Sequence, residues 1–91
     1  MRIRWDEAKR QTVLNDRGID FAQLDELFAF PSIEDRRRDD PEQYRIIGFA
    51  GGQLLTFIVE YRLDRLGEYL WVVTAWYSTK QEQKIYEQET R

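Results

Sequence analysis

The sequence predicts an α+β domain: a small antiparallel sheet with helices on one side, in the order β-α-α-β-β-β-α. Three observations predict it. Two helix-start signals lie close together in the first third of the chain. Two glycine-bearing turns divide the second half into three apolar stretches. A last, polar segment opens on hydroxyl residues with helix-capping spacing. At 91 residues, with 42% hydrophobic and 34% charged residues, the chain has the size and balance of one soluble domain, spanning 1–91.

Met1 to Trp5 alternates apolar and basic residues, which reads as a short opening strand. Asp6 can cap a helix running to about Arg17, with a thin apolar stripe of Ala8, Val13 and Leu14. Gly18 sits where a left-handed residue would end it. Asp20 and Gln23 have capping-box spacing, and Ile19 and Leu24 that of a hydrophobic staple. Phe21, Leu24, Leu27 and Phe28 then share one helical face, and Pro31 ends the helix. Residues 32 to 43 read as a polar loop. Arg36, Arg37 and Arg38 invite a phosphate-binding reading, but Glu34, Asp35, Asp39 and Asp40 nearly cancel them.

Tyr44 to Ala50 is the first strand of a meander, closed by the Gly51-Gly52 turn. Leu54 to Leu63 is the next. Leu55, Phe57, Val59, Tyr61 and Leu63 line one of its faces; Leu54, Thr56, Ile58, Glu60 and Arg62 line the other. After the turn at Asp64–Gly67, Glu68 to Tyr77 is apolar on both faces near its middle, which places it inside the sheet. Simple alternation puts Trp71 and Trp76 on opposite faces. Ser78 or Thr79 caps a last helix to about Glu89, pairing by spacing with Gln81 or Glu82. Ile85 is its one aliphatic residue, so this helix belongs on the surface or against a partner.

Composition removes several functions. There is no histidine and no cysteine, hence no disulfide, no thiol nucleophile and no recognisable metal-ligand spacing. A net charge of −3 argues against a stand-alone DNA-binding protein, while leaving room for a local basic groove. No apolar run is long enough to cross a bilayer and no signal segment opens the chain, so the cytoplasm is the expected compartment.

Several local words are similar to those of the BrnT family of toxins, RelE-like in fold. Trp5-Asp6-Glu7-Ala8-Lys9 resembles the family's opening, and Gly18-Ile19-Asp20-Phe21 its "Gly-Val-Ser/Asp-Phe". Glu42 and Gly48 fall in its central strand pattern, and Gly52 through Arg62 in its next strand. Val72-Val73-Thr74-Ala75, followed by Glu82 and Tyr86, resembles its closing signature. The resemblance implies an RNA-cleaving toxin, and no metal or cofactor is expected for it. It also implies a ribbon-helix-helix antitoxin as partner, with DNA bound only through the toxin–antitoxin complex. No membrane contact is implied, and a homodimer is compatible with it.

The sequence also departs from that pattern. Asp16-Arg17 stands where the family has Lys-His, and Gln43 where it has arginine. Trp71 and Trp76 fall on two further arginine positions, and Val13 on an asparagine. Lys9, Arg17, Glu42, Arg62, Thr74, Glu82 and Tyr86 are retained.

Metal-free RNA cleavage needs an aligned 2′-hydroxyl, cationic donors at the phosphoryl oxygens and a proton for the leaving oxygen. Without histidine, Glu, Lys or Tyr must move the proton, or positioning must suffice. The candidate catalytic residues are Arg62, Glu82, Tyr86 and Arg17; the candidate RNA contacts are Lys9, Lys80, Lys84 and Trp76. Each also has an ordinary reading. Arg62 can pair with Glu60 or Asp64, Arg17 can serve a helix C-terminus, and Lys80 and Lys84 can be solvated. Two functions therefore compete: an endoribonuclease toxin with an altered site, and a catalytically silent relative serving as a protein-binding module.

Overall fold

The computed structural model describes residues 1–91. Five strands form one sheet in the order β1-β5-β4-β3-β2. They are β1 (Arg2–Trp5), β2 (Ile33–Asp39), β3 (Glu42–Ala50), β4 (Gln53–Asp64) and β5 (Gly67–Tyr77). The helices are α1 (Glu7–Arg17), α2 (Leu24–Leu27, led by a 3-10 turn over Phe21–Gln23) and α3 (Lys80–Glu89). No helix is long and apolar enough to cross a membrane.

The helix ends follow local chemistry. The Asp6 carboxylate accepts the Lys9 N–H, and Gly18 closes α1 at φ 72°. Asp20 and Gln23 form the expected capping box. Of the two hydroxyl candidates before α3, Thr79 is the cap: its Oγ1 accepts the Glu82 N–H, and Glu82 accepts the Thr79 N–H. Ser78 is buried instead and shares a hydrogen bond with Thr56 at 2.8 Å.

Several expectations change. Residues 33–39 are a strand, β2, paired antiparallel with β3, although everything after Ile33 is exposed. An edge strand open to water on both sides needs no apolar alternation, so its pattern is silent. β1 pairs parallel to β5, which makes the sheet mixed. The second helical segment stops at Leu27, so Phe28 turns outward and is exposed. The helices also lie on both faces: α1 and α2 cover one, α3 part of the other.

The first face carries the main core. Leu55, Phe57 and Val59 of β4 and Leu70, Val72 and Ala75 of β5 pack with Val13, Phe21, Leu24 and Leu27 from the helices. Tyr61 and Leu63 were expected on this face, but β4 runs past the helical layer and leaves Leu63 exposed. Gly48 lets α2 approach β3 closely: a Cβ there would lie 3.0 Å from Leu27 Cγ.

A bulge in β5 decides how the second face is furnished. Ile58 pairs with Thr74, but Val59 pairs with Val72, which leaves Val73 without an opposite number. Trp71 lies opposite Glu60 and Trp76 opposite Thr56. Directly opposed antiparallel residues share a face, so the extra residue brings both tryptophans to the same side, not to opposite sides.

Candidate nucleic-acid interface

The second face is a field of arginines laid on aromatic rings. The Arg62 guanidinium stacks 4.3 Å from the Trp71 ring centroid. Arg2 and Arg4, from β1, lie 5.4 and 5.1 Å from the Tyr69 ring. Arg37 lies 5.3 Å from the Trp76 ring. Because Arg37 belongs to edge strand β2 and Trp76 to β5, that contact reaches over two intervening strands and marks the face as curled. Arg37 is also the extra residue of a second bulge, between Arg36 and Arg38, which aims it inward.

Most of this positive charge is answered locally. Arg2 makes a two-pronged bond to Asp64 at 2.8 and 2.7 Å, tying β1 to the β4–β5 turn. The Arg2 bond holds the Asp64 carboxyl down to about 2, so this strap stays ionised far into acid. Arg62 binds Glu60 at 2.7 Å, and Glu60 also accepts from Gln43 at 2.9 Å. Burial pushes the Glu60 carboxyl up, but these two donors more than offset it and leave it below its ordinary value. Arg45 bridges Asp35 and Glu82. Arg17 and Arg37 have no carboxylate partner within ion-pair distance.

The four residues read as catalytic occupy separate roles. Arg62 is on the open face, bound to Glu60. Arg17 comes from the end of α1 on the opposite side and reaches the edge of β5 beyond the end of β1. It donates to the Ala75 carbonyl at 2.7 Å and approaches Thr74 Oγ1 at 3.4 Å. Glu82 is 5% exposed, and both its oxygens are occupied. Oε1 accepts from Thr79 N–H at 2.9 Å, Trp76 Nε1 at 2.9 Å and Thr56 Oγ1 at 3.1 Å; Oε2 faces Arg45 at 3.4 Å. Burial pushes its carboxyl up, yet the three donors and the Arg45 charge more than offset that and hold it below its ordinary value. Tyr86 donates to the Pro31 carbonyl at 2.6 Å and meets Phe49 edge to face. No hydrogen bond or ion pair joins these four to one another.

Of the residues read as RNA contacts, Trp76 is on the open face, half covered by Arg37 and bonded through its ring N–H to Glu82. Lys80 and Lys84 are exposed on α3, above the same face. Lys9 is exposed on α1, in the helical layer behind the sheet. Sequence reasoning missed Arg45 and the Gln43–Glu60 bond, although it offered Glu60 as a partner for Arg62. The signal for Glu60 was present, since alternation already placed it beside Arg62. Gln43 lay in the presumed loop.

Next to α3, a groove of about 820 Å³ runs between the helix and the β3–β4 hairpin, lined by Phe49, Leu54, Tyr77 and Tyr86 among others. Phe49 and Tyr77 are exposed at its rim. No group of carboxylates converges in a metal-holding arrangement.

No protein-family model matches the chain, and no curated protein matches it. Among solved structures, the Brucella abortus ribonuclease toxin BrnT is similar to it, with a TM-score of 0.70 and 29% sequence identity. The match covers 88% of this chain and 99% of that one. This structural homology over almost the full length of both chains, joined to the sequence words of the opening strand and closing helix, is consistent with a divergent member of the BrnT family.

Proposed function

We propose that the chain is the toxin of a type II toxin–antitoxin pair and a metal-independent endoribonuclease, acting on RNA laid over the open sheet face. The homology to a ribonuclease toxin carries this reading. The arginine and aromatic furnishing of one sheet face supports it. In this reading Arg62 and Arg17 supply positive charge to the scissile phosphate, and Trp76, Lys80 and Lys84 contact the strand on either side, with Lys9 a peripheral contact. Glu82 and Tyr86 act as positioning residues, because their polar atoms are already engaged in holding α3. Glu60 is the carboxylate nearest Arg62 and the best-placed group to accept a 2′-hydroxyl proton. The partner is a ribbon-helix-helix antitoxin, DNA is bound only through that complex, and the setting is cytoplasmic.

Expression of the wild-type chain alone is expected to arrest growth. The purified protein is expected to cleave a mixed RNA pool in chelator, and Arg62→Ala to slow that cleavage at least tenfold while folding normally. Undiminished growth at confirmed soluble expression, together with intact RNA, overturns the proposal.

One observation favours a second reading, a catalytically silent protein-binding module. The groove beside α3 has exposed aromatic walls while the Glu82 carboxylate has no free oxygen. In that case the protein binds an antitoxin-like partner through the groove and leaves RNA uncut.

A further inference from the structure

We propose that Trp71 and Trp76 are two base-stacking positions that hold single-stranded RNA on the open face by its nucleobases, with Arg62 and Arg37 as movable covers. This rests on the RNA-directed reading above and names the form of substrate that the site takes.

The bulge at Val73 is the first ground. Without it the two indoles would lie on opposite sides of the sheet; with it they share one. Their partners on β4, Glu60 and Thr56, are four residues apart, which separates the two rings by roughly 13 Å along the strands. A helical nucleic-acid strand rises only about 3.4 Å per nucleotide. That spacing spans about four rises, and in a helix every base face is already covered by its neighbours, so bases seated on these rings are unstacked ones, which a duplex does not offer.

The second ground is how each ring is covered. Both tryptophans are half-buried, and each has a guanidinium laid on its ring. An exposed cation–π contact is weaker than a base stacked on tryptophan, so a base can take the place of the guanidinium. The displaced arginine is then beside the phosphate that the base brings with it. Arg37 has no ion pair to break. Arg17, also without a carboxylate partner, lies at Thr74, between the two tryptophans along β5, where the intervening phosphates would pass.

The third ground is chemical economy. Trp76 fixes its ring by donating to the buried Glu82, so the indole edge is anchored while its face stays available. Trp71 is levelled by strand pairing between Arg4 and Glu60.

The test is binding of a fluorescent 12-nucleotide oligoadenylate, an abasic strand of the same length and the same oligoadenylate in duplex, at fixed salt. The wild type is expected to prefer the single strand to the abasic strand and to the duplex by at least tenfold. Trp71→Ala and Trp76→Ala are each expected to weaken single-strand binding about tenfold, in line with one lost stack. Trp71→Phe and Trp76→Phe keep a π face and are expected to restore most of it, which separates stacking from loss of fold. Equal binding of abasic and base-bearing strands, or alanine variants that bind like the wild type, overturns the stacking proposal and leaves an RNA-directed protein that grips phosphate. A folded wild type that binds none of the three strands overturns both.

Discussion

Replacing Glu82 by alanine is expected to destabilise the protein by about 3–5 kcal/mol, the usual cost of breaking a buried charged pair by removing one partner. Four groups lose an acceptor at once: the Thr79 N–H and the Trp76 ring N–H lose the one they have, while the Thr56 hydroxyl keeps Ser78 and the Arg45 guanidinium keeps Asp35. Urea denaturation reads this directly, and a loss below about 1 kcal/mol would show that the network relaxes at little cost. The same residue sets a pH dependence. Its folded carboxyl lies below the ordinary value of 4.5, so its contribution is complete above that value and is lost as pH falls through the lower folded one. Glu60 and Asp20, also held low, act in the same direction. Wild-type stability should therefore fall on acidification below pH 4.5, with a gentler slope in Glu82→Ala.

Phe57→Ala is expected to cost about 3–5 kcal/mol for a different reason, the cavity it leaves. Phe57 is fully buried in the middle of β4, the central strand, opposite Ile46 on one side and Ala75 on the other. Ala75 is too small to reach into the gap, and the sheet backbone is fixed by its ladders on both sides. The variant should lower the denaturation midpoint without changing the slope. A change smaller than about 1.5 kcal/mol would mean that the helices settle into the space.

The helix termini were legible because capping is local: Asp6, Gly18, Asp20 and Thr79 each act within a few residues. The meander was legible because β3 and β4 bury alternate residues against the helices. β2 was not, since an exposed edge of seven residues can be made of arginines and aspartates as easily as of anything else. The parallel docking of β1 depends on where β5 lies after the whole meander has formed, which no local pattern carries. The faces of the tryptophans were misread for one reason. Alternation counts residues, and the bulge adds one.

The site divides along the same line. Glu82 had two signatures in the sequence, a capping box with Thr79 and a place in a family pattern. The structure gives the capping role plainly and adds three donors that no spacing could foretell, Thr56, Trp76 and Arg45. Trp71 and Trp76 stand where arginines were expected from the family, yet each carries an arginine over its ring: Arg62, which the pattern retains, and Arg37, which comes from edge strand β2.

The attachment of α3 has a consequence for how the molecule fluctuates. Glu82 and Tyr86 are its only buried residues: Glu82 holds on by hydrogen bonds, and Tyr86 by one hydrogen bond and its ring contact with Phe49. Opening this helix exposes little hydrophobic surface, whereas opening β4 dismantles the main core. The free energy of local opening should therefore be far smaller for α3 than for the sheet, and amide exchange in Lys84–Glu89 should run orders of magnitude ahead of exchange in Leu55–Val59. The molecule is in effect a rigid curved plate with a hinged clasp, and the clasp can lift without the plate unfolding.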